Sequence, residues 1–132
     1  GKSPMSEPVL LGKSGEGKEF YFGLRELAQS EVFHGSSFTT SGYTLRYGNG
    51  RTRGHVLLLR PDCLDIGFGP SNPPGFLNEK TNADFWSQAA MIPAFKGKLH
   101  KKCPEVQLND GSWSHEDVAT FLSALGRLKN RG

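Results

Sequence analysis

The clearest hydrophobic pattern lies near the carboxyl end of the chain. Val118, Phe121, Leu122 and Leu125 recur at helical spacing. Ser114 stands where an N-cap belongs, Asp117 falls at the third helical position, and Trp113 precedes the cap as a staple for Val118. Acids open this segment and Arg127, Lys129 and Arg131 close it, as the helix dipole favours. The spacing predicts a terminal helix from residue 115 onward. A second helix is predicted from Asn82 to about Met91, with Phe85, Ala89 and Ile92 in its stripe, Trp86 beside it and Pro93 as its stop. A third is predicted over about 23–32 from Leu24, Leu27, Ala28 and Val32.

Between these helices the pattern is β-like. Strands are predicted at Lys18–Phe22, Ser37–Thr40, Tyr43–Tyr47, His55–Arg60, Leu64–Phe68 and Glu105–Leu108, with a short one at Val9–Leu11. Residues 55–59 are nearly continuous in apolar character, which predicts a central strand buried on both faces. Gly48-Asn49-Gly50 predicts a hairpin turn, because Asn and Gly accept positive φ. Residues 69–80 read as loop, and residues 1–18, rich in Pro, Gly, Ser and Lys, read as a flexible arm. Residues 19–132 then form one α+β domain, a small mixed or antiparallel sheet packed with about three helices.

Composition narrows the function classes. Hydrophobic residues make up 36% of the chain, with nine Phe, enough for a packed core rather than a disordered chain. Seventeen Gly and eight Pro exclude a plain helical bundle. No apolar run approaches the roughly 20 residues of a membrane-spanning helix. Cys63 and Cys103 make neither a disulfide framework nor a paired zinc spacing, so no metal and no cofactor are expected. The expectation is a soluble protein, cytoplasmic or a delivered effector, rather than a disulfide-rich secreted one.

The net charge is +3, but its distribution is uneven. Residues 41–60 carry Arg46, Arg51, Arg53 and Arg60 without an acid, and residues 96–102 carry Lys96, Lys98, Lys101 and Lys102 without one. Such stretches predict an anionic substrate or partner: phospholipid, cell-wall peptide or nucleic acid. Tyr43, Arg46, Tyr47, Arg51 and Arg53 interleave aromatics with arginines around the predicted turn, a pattern suited to a phosphate backbone and stacked bases. An RNase-like toxin would instead draw on His34, His55 or His100. Gly12–Lys18 fits G-x-x-x-x-G-K, but Glu19 stands where a phosphate loop needs Ser or Thr, and no good strand precedes it. Cys103, beside Lys98, Lys101 and Lys102, is a rival thiol that could pair with His100 or His55.

His55 opens an apolar strand directly after Gly54, the strand Asp65–Phe68 follows, and Asn82-Ala83-Asp84-Phe85 begins a predicted helix. This arrangement, over about residues 54–90, resembles the permuted papain-like, lecithin–retinol-acyltransferase-like (H-box/NC) superfamily. Its members include phospholipid acyltransferases, bacterial effectors and viral H-box/NC proteins. The resemblance implies a permuted papain-like fold and acyl transfer or hydrolysis of an amide, ester or thioester. His55 would be the base, position 83 the nucleophile site and Asp65 the residue orienting the imidazole, with Asn72 and Asn78 as weaker alternatives. The backbone around Asn82 would bind the oxyanion. The chain departs from the pattern at Ala83, where the superfamily has Cys, and in a His-to-nucleophile spacing shorter than in the host enzymes. An engineered Cys-to-Ala form or a natural non-catalytic relative would fit, as would an inhibitor or immunity protein as partner. The simpler alternative is that Asn82 only caps a helix.

Overall fold

The computed structural model describes residues 3–12, 15–30, 33–47 and 54–128, without the side chains of His34, Gly54 and His55. Five antiparallel strands form a meander in chain order: β1 (Phe33–Phe38), β2 (Tyr43–Tyr47), β3 (Gly54–Leu59), β4 (Cys63–Ile66) and β5 (Glu105–Gln107). Four helices accompany them: α1 (Glu7–Leu10), α2 (Glu16–Leu27), α3 (Glu79–Ala89) and α4 (His115–Gly126). The fold class is the expected small α+β. No described helix is long and apolar enough to cross a membrane. The predicted Gly48–Gly50 turn lies outside the described residues.

Register explains how the sheet divides. Phe38, Tyr43, Leu59, Leu64 and Val106 lie in one transverse row, and Leu45, Leu57 and Ile66 in the next core-facing row. The row between them runs Ser37, Thr44, Leu58, Asp65, Glu105 and faces the other way. β3 is the central strand, as its apolar run requires: Val56, Leu57 and Leu59 are fully buried. Both sheet edges are interrupted. A bulge between Phe33 and Ser36 breaks β1, where Gly35 takes φ 103°, and β5 has three residues and follows a buried Pro104.

Three local expectations are corrected. Val9–Leu11 is not a strand: Ser6 caps α1 and Leu10 is buried. Lys18–Phe22 is not a strand: it joins residues 23–27 in one helix, α2, because Phe20, Tyr21 and Leu24 form a single buried face, and the helix expected over 23–32 stops at Leu27. The second predicted helix begins at Glu79, not Asn82. The α4 expectation matches the structure. Ser114 Oγ accepts from Asp117 N at 3.0 Å, and Asp117 accepts from Ser114 N at 3.2 Å. Trp113 anchors this start within an aromatic core of Phe20, Phe95 and Phe121, and its indole N–H donates to Gln107 O at 3.1 Å.

Candidate functional site

One end of the sheet gathers chemistry from three segments. β2 ends at Tyr47, paired with Gly54 at the start of β3. Gly67 N donates to Val56 O at 2.7 Å, so β4 exits at that same end. The chain then turns at Gly69 and Asn72, whose backbones bond each other at 3.1 and 3.0 Å. Lys101 and Lys102 run against this turn. A Cβ on Gly69 would stand 2.3 Å from Lys102 O, so only glycine permits the approach. Asn72 Nδ2 joins the seam, donating to Lys102 O at 3.4 Å and to Cys103 Sγ at 3.7 Å.

This end carries both cations and part-exposed rings. Lys96, Lys98, His100, Lys101 and Lys102 are exposed, and Arg46 is half-buried at the end of β2. Phe76 lies over Tyr47 with ring centroids 4.3 Å apart, and both rings keep part of their surface in solvent. Glu79 and a Lys80–Asp84 ion pair (2.9 Å) lie on α3 nearby. Acids collect at the opposite end. Glu16, Glu19, Glu116 and Asp117 occupy the first turns of α2 and α4, where helix N-termini favour negative charge. His115 pairs with Glu19 across a depression of ≈410 Å³ between those two N-termini.

The residues singled out by the H-box/NC resemblance are placed as follows. Asn78, not Asn82, caps α3: its Oδ1 accepts from Thr81 N at 2.8 Å. Asn82 is the fourth residue of the helix and is 2% exposed. Its backbone N–H already bonds Asn78 O, and its side-chain amide donates to Gly69 O (3.1 Å) and Pro70 O (3.4 Å). Asn82 thus clasps α3 to the turn that follows β4, and its N–H is not free to bind an oxyanion. Ala83 is the fifth residue, exposed in a shallow ≈320 Å³ depression beside Pro70, Ser71 and Pro73. It lies beyond the free N–H groups that would depress a thiol pKa. His55 pairs with Arg46 in the ladder, and its side chain lies outside the described residues. Asp65 pairs with Leu58, three positions or roughly 10 Å along β3 from His55. It is held instead by Arg60, whose Nε is 2.7 Å from Asp65 Oδ2.

The other nominated residues divide. Tyr43 is not an exposed platform for a base: it is 6% exposed, bonds Ser36 and packs against Tyr21 and Phe38. Arg46 and Tyr47 are at the basic end, while Arg51 and Arg53 lie outside the described residues. Cys103 and His100 are exposed. Gly12–Lys18 is preceded by α1 rather than by the strand a phosphate loop requires, and α2 begins within it at Glu16, while Lys13 and Ser14 lie outside the described residues.

The sequence reading missed one cluster. Cys63 and Asp65 alternate onto the outward face of β4, and Glu105 pairs with Asp65 from β5. One donor atom from each lies within 4.8 Å of the others. Hydrogen bonding to Asp65 and its charge hold the Glu105 carboxyl above the usual range, with burial adding to both. Burial first, then the Asp65 and Glu105 charges, push the Cys63 thiol from 9.0 to about 11. The Cys63-x-Asp65 alternation on a strand was the available signal, but Glu105 is forty positions further along the chain. No protein-family model, curated protein or solved structure matches the chain.

Proposed function

We propose that the protein is a nucleic-acid-binding domain that grips a single strand at the basic end of its sheet. The observation that carries this is that Lys101 and Lys102, exposed and packed against the β4 exit turn, share one end of the sheet with the half-exposed Tyr47–Phe76 pair, while acids gather at the other. Cations answer phosphates, and part-exposed rings supply stacking surface without sequence preference. The segment joining Tyr47 to Gly54 adds Arg51 and Arg53. Acids at the far end repel the polymer and orient it. This reading goes ahead of acyl transfer because position 83 carries no nucleophile and lies beyond the helix start.

The test is fluorescence anisotropy with labelled single-stranded RNA and DNA oligomers and a DNA duplex, across a salt series. Single strands should bind at low salt. Lys101→Ala with Lys102→Ala should reduce the slope of log K against log salt by about 1.4, near 0.7 per phosphate contact. Absence of binding to either single strand at low salt, or a slope unchanged by the double substitution, overturns the proposal.

A further inference from the structure

We propose that Cys63, Asp65 and Glu105 bind a zinc ion on the outward face of the sheet. The strand geometry assembles the three donors. Cys63 and Asp65 are two residues apart on β4, so their side chains share a face. Glu105 is the direct cross-strand partner of Asp65, where Cβ atoms stand about 4.5–5.5 Å apart. The resulting set is one sulfur and two carboxylates, with all three donor atoms within 4.8 Å of one another. Tetrahedral zinc with bonds of about 2.0 Å to oxygen and 2.3 Å to sulfur places its donors roughly 3.3–3.5 Å apart. Side-chain rotation of about an ångström closes that difference.

Two further observations point to a ligand. Asp65 Oδ1 is buried and receives no N–H donor among the described residues, since Arg60 takes Oδ2 and the facing group is the Glu105 carboxyl. Two carboxyl groups facing each other need a shared proton or a cation between them, and a metal ion can take that proton's place. The Cys63 side chain is more than nine-tenths buried, at 6% exposure, and its sulfur lies within this cluster. Charge balance completes the picture. A thiolate and two carboxylates bring three negative charges, zinc returns two, and the Arg60 guanidinium offsets the third. Sulfur favours zinc over magnesium or calcium, which take oxygen shells. Glu105 is exposed and gives the ion a path from solvent, and water fills the fourth position. On binding, the Cys63 S–H bond breaks, its electron pair forms the Zn–S bond, and the proton passes to buffer.

The test uses the full chain, reduced and freed of metal, titrated with Co²⁺ as a spectroscopic stand-in and then with Zn²⁺. A near-ultraviolet thiolate-to-cobalt charge-transfer band should appear and be bleached by stoichiometric Zn²⁺. It should persist in Cys103→Ser and vanish in Cys63→Ser. Glu105→Gln, an exposed isosteric change that leaves the fold intact, should weaken Co²⁺ binding at least tenfold. Three outcomes overturn the proposal: no band at millimolar Co²⁺, a band that survives Cys63→Ser, or an affinity unaffected by Glu105→Gln.

Discussion

Raising the pH from 8 to 10 should cost the metal-free fold stability through one buried thiol. Cys63 is 6% exposed, and its surroundings move its pKa from 9.0 to about 11. The fold therefore favours the neutral thiol. That contribution is complete below the unfolded pKa and is lost as pH climbs through the folded one. At pH 8 both states carry the thiol proton and the loss is negligible. At pH 10 most unfolded chains have released it while most folded ones retain it, a difference of about one proton-binding decade, or about 1.4 kcal/mol. Tyr21, raised to about 12 by burial and its bond to Glu7, also loses stability over this interval, so the thiol must be isolated by difference. The assay is urea denaturation at both pH values, followed by the fluorescence of buried Trp86 and Trp113, for the natural chain and Cys63→Ala with chelator present. Cys63→Ala removes the same packing at both pH values, so it should lose about 1.4 kcal/mol less than the natural chain on going to pH 10. A difference below about 0.5 kcal/mol would refute the claim that burial and the neighbouring carboxylates disfavour the thiolate.

Two further outcomes are expected. Ser114→Ala should lower stability by about 0.5–2 kcal/mol, because it removes the acceptor for Asp117 N in the α4 capping box, and an unchanged urea midpoint would place the helix start elsewhere. Ala83→Cys should give a thiol that reacts with iodoacetamide at neutral pH within a few-fold of Cys103, since position 83 is exposed and beyond the first turn of α3; a rate a hundredfold faster, slowed by His55→Ala, would restore the acyl-transfer expectation.

The elements legible in the sequence were those whose signals are local. Ser114 and Asp117 fix the α4 start within four residues, and the Val56–Leu59 run marks the central strand without knowledge of its partners. The α2 error arose where aromatic residues at 20 and 21 imitate a β segment, and only packing against Trp113, Phe121 and Tyr43 reveals the helical face. At α3, two asparagines four apart could each cap. The choice is made by Gly69 and Pro70, whose carbonyls engage Asn82 from a distant turn. The basic stretches were legible as charge, but not as neighbours. Lys101–Lys102 come beside the β4 exit only through the close approach at Gly69. The Cys63–Asp65–Glu105 cluster depends on the β4–β5 pairing, which joins residues forty positions apart.

The interrupted sheet borders carry a consequence for crowded solution. An antiparallel sheet offers the outermost backbone N–H and C=O groups of its border strands to any second molecule that can add a strand. Here a would-be partner along β1 meets the Gly35 irregularity after a few residues. Along β5 it finds only Glu105–Gln107, bracketed by a proline that cannot donate and bearing an exposed acid. Neither border gives a long, flat template for intermolecular β-pairing. The sheet borders therefore resist seeding aggregation without a covering element.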